Sequence, residues 1–175
     1  HCLMATPVHK DGYIYGVCSY GQLRCLKAET GERVWETFQA TTTGGPVRWA
    51  NAFLVKHGDR FFLPNERGDL ILARLTPKGY EEISRTRLIE QLMSYGGRKL
   101  TWSPPAFANR CVFVRNEKEV VCASLAAETV IEVTRLAPEG VWAVEPNSRR
   151  CAEVIGTKIT SSWLPPPNAV PPFSC

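Results

Sequence analysis

Three segments of the chain, spaced about fifty residues apart, share one pattern of turns and apolar strands. They are residues 11–26, 58–73 and 109–123, and each runs from a polar turn through a β-branched or aromatic strand and a second turn into another apolar strand. Self-similarity at such a period is typical of solenoids, propellers and arrays. Because one repeat does not bury its own apolar face, it must pack against neighbours. We therefore expect a stack of similar units, with function on the surface that the stack creates.

The first copy contains enough turn signals to predict its strands. Asp11-Gly12 is a strong hairpin signal, Tyr20-Gly21 turns the chain again, and residues 29–32 make a third turn. Four short antiparallel strands joined by tight turns form a meander, which is one propeller blade. The pattern predicts blades at about residues 5–38, 47–92 and 101–136. In the third blade, the fourth strand is expected within residues 129–136.

The predicted fold is all-β: a partial β-propeller of about three four-stranded antiparallel blades. An irregular, proline-rich and disordered tail is predicted over residues 137–175, because consecutive prolines such as Pro165-Pro166-Pro167 favour extended polyproline II or disorder. A truncated gene, or a reading frame shifted after the third copy, would produce this break in the repeat. Since closed propellers have about 4–8 blades, three blades leave two faces uncapped.

Charge and hydropathy exclude two classes of protein. The net charge is only +4, and the basic residues alternate with acids instead of forming a stripe, which argues against nucleic-acid binding. No apolar run approaches the ~20 residues that span a bilayer, so no transmembrane segment is predicted. The chain begins at His1 without an initiating Met, so the absence of a signal peptide does not argue for a cytoplasmic protein.

The seven cysteines do not predict a metal site or a redox motif, because no C-x-x-C pair occurs. Cys25 and Cys122 fall in equivalent strands of their copies and are interpreted as small buried packing residues. Pairing Ser19 with Gln22 around the Tyr20-Gly21 turn would set Cys18 opposite Leu23. A disulfide from Cys18 to Cys25 would then need a register slip.

No catalytic, cofactor-binding or metal-ligating residue is predicted. The densest group of oxygen ligands is Asn65, Glu66 and Asp69, but such residues are expected in the hairpin turn that they occupy. His9 and His57 precede turns, and no G-x-S-x-G or phosphate-binding loop occurs.

Two aromatic segments are the strongest candidates for a binding surface. Residues 48–51 (Arg-Trp-Ala-Asn) and 101–103 (Thr-Trp-Ser) each stand at the start of a blade, beside the predicted central channel. Arg48, Asn51, Trp49 and Trp102 would line a polar and aromatic ligand surface there. The favoured alternative is that both tryptophans are packing plates between blades.

Residues 25–35 resemble the A-x-D-x-x-T-G-x-x-x-W signature of pyrroloquinoline-quinone-type β-propeller repeats. Thr30, Gly31 and Trp35 match, whereas Cys25 and Lys27 replace the Ala and the Asp. The resemblance covers about two thirds of the chain. This part of the chain is also similar to the C-terminal blades of such repeat proteins from environmental bacteria. It implies a tryptophan docked flat on the next blade and a location in the periplasm or cell envelope. Quinoprotein dehydrogenases of this fold use the quinone, Ca²⁺, an Asp base and often adjacent cysteines; this sequence has no adjacent cysteine pair.

The sequence therefore predicts a non-catalytic repeat scaffold of the cell envelope, with no cofactor, that binds protein partners or a small ligand on a propeller face. One alternative is a fragment of a quinone-dependent oxidoreductase, which is the enzyme hypothesis. The other is a carbohydrate-binding propeller face that uses Trp49 and Trp102.

Overall fold

The computed structural model describes residue 2, residues 4–126 and residues 133–136, and these residues form fourteen β-strands. The first sheet has the order β1-β2-β3-β4 with every pair antiparallel, as a meander requires. Its strands are β1 (Val8–Lys10), β2 (Tyr13–Val17), β3 (Leu23–Lys27) and β4 (Arg33–Thr37). The first turn forms at Asp11-Gly12 because both residues take a positive φ there, of 51° and 79°.

Two more sheets repeat this topology, with the orders β5-β6-β7-β8 and β11-β12-β13-β14. The second consists of β5 (Val55–His57), β6 (Arg60–Pro64), β7 (Asp69–Thr76) and β8 (Gly79–Arg87). The third consists of β11 (Ala106–Ala108), β12 (Cys111–Arg115), β13 (Val120–Ser124) and β14 (Val133–Leu136). A separate hairpin of β9 (Met93–Tyr95) and β10 (Arg98–Leu100) lies between the second and third sheets in the chain. The fold is a partial β-propeller, and we call the three sheets blades 1, 2 and 3.

Blades 1 and 2 share one irregularity of strand register. In blade 1 the register between β3 and β4 shifts at Cys25/Leu26, and in blade 2 the register between β7 and β8 shifts at Leu72/Ala73. Cys25 pairs with Tyr15 in blade 1, and Leu72 pairs with Phe62 at the matching place in blade 2. The same register position therefore carries the bulge in both blades.

Several details differ from the sequence prediction. Residues 94–97, expected to be a loop, contribute to the β9–β10 hairpin, and residues 85–92, left as helix or strand, continue β8 only to Arg87. Most of residues 47–54 do not form the expected first strand, because the strand of blade 2 begins at Val55. Val17, not Cys18, lies opposite Leu23. The tail predicted over residues 137–175 lies outside the described residues.

The blades pack through two apolar cores. One core fills the space between blades 1 and 2 and the other the space between blades 2 and 3. An aromatic pair crosses each interface: Tyr15 with Phe61 at 6.0 Å between ring centroids, and Phe62 with Phe107 at 5.7 Å. Tyr15 and Phe62 occupy matching positions of blades 1 and 2. Cys25 and Cys122 are buried as expected, and burial raises the pKa of the Cys25 thiol, so that thiol stays protonated as a packing group.

Trp35 packs against the core between blades 1 and 2, the place that the family resemblance implied for it. Its ring lies 6.0 Å from that of Tyr15, and its Nε1 donates a 2.8 Å hydrogen bond to the carbonyl oxygen of Thr76 in blade 2.

In the part of the chain that the structure describes, no helix is long and apolar enough to cross a membrane.

We expect Trp35→Phe to lower the free energy of unfolding by about 1 kcal/mol, because the ring area is mostly kept while the inter-blade hydrogen bond to Thr76 is lost. Equilibrium unfolding in urea measures the loss. A variant as stable as the parent would mean that the bond contributes nothing to the contact between blades 1 and 2.

Candidate aromatic binding surface

The two segments that connect the blades run along one edge of the propeller piece. The connector 38–54 binds the β2–β3 turn of blade 1, because the amide of Val47 donates to Tyr20 and that of Trp49 donates to Ser19. The connector 88–105 binds the β6–β7 turn of blade 2 in the same way, through Leu88 to Gly68 and Thr101 to Glu66. Each blade thus fixes the connector that follows it, and side chains on the connectors share one edge.

Trp49 is held in an unfavourable backbone conformation. Its φ of +64° lies in the left-handed region, which costs a residue with a side chain about 1–2 kcal/mol. The next residue, Ala50, is buried against the β2–β3 turn of blade 1, where a Cβ at Gly21 would come within 2.9 Å of it. The fold therefore accepts backbone strain at a large aromatic residue whose side chain is half-buried, and such strain is frequent at functional sites.

Three aromatic side chains form a continuous row on this edge, which we call the aromatic ladder: Trp49, Tyr95 and Trp102. The ring centroids of Trp49 and Tyr95 are 5.2 Å apart and those of Tyr95 and Trp102 are 5.1 Å apart, with tilts near 50°. The Arg48 guanidinium lies over the Trp49 ring, 4.5 Å from its centroid. Tyr95 is 43% exposed, so the middle of the row faces solvent.

A buried carboxylate holds the far end of the ladder. Glu66 is only 5% exposed, and it accepts hydrogen bonds from Arg98 and, at 3.1 Å, from Nε1 of Trp102. Arg98 also donates to the carbonyl oxygen of Arg48 at 2.9 Å, so one guanidinium joins both connectors. Because Glu66 belongs to blade 2, this network fixes Trp102 and the segment before Trp49 against the same blade.

The structure brings together some of the predicted surface residues and not others. Trp49 and Trp102 lie in neither inter-blade core but side by side with Tyr95, while Trp35 takes the packing role. Asn51 is buried and its carbonyl oxygen accepts the amide of Glu66, so it supports the surface from beneath. Tyr95 was missed because its strand has only three residues.

Asn65, Glu66 and Asp69 lie at the β6–β7 turn, and their side chains make hydrogen bonds within the protein. Asn65 Oδ1 accepts the amides of Arg67 and Asp69, which closes the turn, and Nδ2 donates to the carbonyl oxygen of Ala40. Asp69 pairs with Arg85 and Arg87. Among the described residues, no group of three or more His, Cys, Asp or Glu side chains is placed to hold a metal ion.

Asn116 repeats the role of Asn65 in blade 3. Its Oδ1 accepts the amides of Lys118 and Glu119, and its Nδ2 donates at 3.1 Å to the carbonyl oxygen of Glu90 in the preceding connector. The pair of asparagines therefore ties blades 2 and 3 to the connectors that precede them, and both connectors are fixed from two sides.

No family model and no curated protein matches the chain. Among solved structures, it is similar to the quinohemoprotein alcohol dehydrogenase from Comamonas testosteroni, with 16% identity and a TM-score of 0.47. It is also similar to the quinohemoprotein alcohol dehydrogenase ADHIIG from Pseudomonas putida HK5, with 14% identity and a TM-score of 0.47. Each match covers 69% of this chain and 19% of the other, so the chain spans about a fifth of the length of those proteins. Similarity at this level gives no information on activity.

Proposed function

We propose that this protein is a non-catalytic β-propeller scaffold that binds its partner or ligand on the aromatic ladder. The observation that carries the proposal is the row of Trp49, Tyr95 and Trp102, which is held at the surface by backbone strain and by the buried Glu66. Aromatic side chains combine a large rigid contact area with a polar group, and they are enriched where proteins bind partners and ligands.

The buried carboxylates support a scaffold because each already serves the fold. Glu66 is held by Arg98 and Trp102, and Asp69 is held by Arg85 and Arg87. A carboxylate that acts as a general base must be able to reach a proton of the substrate. In this arrangement the lone pairs of both groups point at the protein's own donors, which makes them anchors for the connectors and strands.

The fragment of a quinone-dependent oxidoreductase stays the alternative. A location in the cell envelope, and membership of the pyrroloquinoline-quinone type of repeat, are parts of the proposal. The sequence resemblance supports both. The hydrogen bond from Trp35 to Thr76 of blade 2 agrees with that resemblance.

One assay separates the scaffold from the oxidoreductase. The purified protein is incubated with pyrroloquinoline quinone and Ca²⁺, and quinone binding and alcohol-dependent reduction of a redox dye are followed. The scaffold predicts neither tight binding nor alcohol-dependent dye reduction. Tight binding of the quinone with dye-linked alcohol oxidation would overturn the proposal.

A further inference from the structure

The aromatic ladder has the chemistry of a surface for sugar rings. A pyranose ring has a face of C–H groups bounded by hydroxyls, so it packs its apolar face on an aromatic plate and hydrogen-bonds at its rim. The ladder offers three such rings in a row, each tilted by about 50° from the next. Among the described residues, none accepts a hydrogen bond from the indole N–H of Trp49 or the hydroxyl of Tyr95, so both are available to sugar hydroxyls.

Arg48 adds a positive charge at one end of the ladder. Its side chain is exposed and lies over Trp49, and no carboxylate in the described part of the chain pairs with it. Some other surface arginines are paired, for example Arg24 with Glu36 and Arg74 with Glu81. The nearby Glu66 does not neutralise Arg48, because Arg98 already occupies it.

We propose that the aromatic ladder binds an acidic oligosaccharide and that Arg48 pairs with the carboxylate of a uronic acid unit. This inference rests on the proposed function, since it names the ligand of the same surface. The aromatic ladder would pack against the sugar ring, and the Arg48 guanidinium would bind the carboxylate, because arginine forms paired hydrogen bonds with that group. A neutral sugar would leave the Arg48 charge unused, and a free anion would leave the ladder unused.

Titration calorimetry with tetragalacturonate and with a neutral galactotetraose tests the inference. We expect the uronate to bind at least about tenfold more tightly than the neutral sugar, and Arg48→Gln to remove that preference without changing the affinity for the neutral sugar. Arg60→Gln is the matched control. It also removes one exposed charge, but at the start of β6, at the other end of blade 2, and it should leave both affinities unchanged.

The ring contribution is tested at Tyr95, whose exposed side chain supports no hydrogen bond among the described residues. Tyr95→Ala should weaken both sugars about fivefold or more, and Tyr95→Phe should keep most of the affinity. Absence of uronate binding, equal affinities of the parent for the two sugars, or a uronate affinity that survives Arg48→Gln would each overturn the inference. Those outcomes leave the scaffold proposal standing, whereas quinone-dependent dye reduction would overturn the scaffold itself.

Discussion

Replacing Gly68 with alanine is expected to lower the free energy of unfolding by about 3 kcal/mol or more. Gly68 has a φ of +77°, and a Cβ at this position would lie 2.0 Å from the carbonyl oxygen of Ile89. Since that neighbour is backbone, the methyl group cannot be accommodated by a side-chain rotation. The connector after blade 2 would have to move, and Leu88 and Ile89, which belong to the core between blades 2 and 3, would move with it.

Gly12→Ala is the matched control for that substitution. Gly12 has nearly the same φ, +79°, but nothing lies within 4 Å of a Cβ built on it. Gly12→Ala should therefore lower the free energy of unfolding only by the conformational penalty of a positive φ, about 1 kcal/mol. Unfolding in guanidinium chloride gives both values. Equal losses at the two positions would mean that the connector does not pack on the β6–β7 turn as described.

Glu66→Ala is expected to destabilise the protein by about 3 kcal/mol and to disorder one end of the aromatic ladder. The substitution leaves the Arg98 guanidinium without its carboxylate and the indole N–H of Trp102 without an acceptor. Glu66 itself is only 5% exposed, so water replaces the lost carboxylate poorly. Removing one member of a buried ion pair is costly because the remaining charge stays in a poor environment. Urea unfolding measures the loss, and the tryptophan fluorescence of the folded protein, to which Trp102 contributes as one of five tryptophans, should shift toward that of a solvated indole.

Glu36→Ala is the control for this prediction. Glu36 also binds two donors, Arg24 and Arg33, but its side chain is 34% exposed. Exposed ion pairs contribute little, so the loss should stay below about 1 kcal/mol. If Glu36→Ala cost as much as Glu66→Ala, burial of the Glu66 network would not be the cause of its effect.

Much of the fold could be predicted because its signals are local. Asp11-Gly12 marks a hairpin whatever surrounds it, and the alternating apolar residues of β3 and β7 place the inter-blade cores. Trp35 was assigned correctly as a plate because its spacing from Thr30-Gly31 repeats a known pattern. The fourth strand of blade 3 was expected within residues 129–136, and β14 lies there.

The site was harder to predict because it depends on contacts between distant segments. Trp49 comes from one connector, and Tyr95 and Trp102 come from the other, which contains the short hairpin. Nothing in their spacing indicates that their rings meet. Gly96-Gly97 was available as a hairpin signal, but three-residue strands are too short to show alternation. The role of Glu66 was hidden for a related reason: its partner Arg98 is 32 residues away, and turn residues are polar for local reasons.

A crystal structure of the protein is the most direct test of the central claim, which is that stacked repeats present an aromatic ladder on one edge. We predict three four-stranded sheets that superimpose on one another, with the Tyr95 ring between those of Trp49 and Trp102 and facing solvent. Sheets that failed to superimpose, or tryptophans at positions 49 and 102 buried between blades, would contradict it.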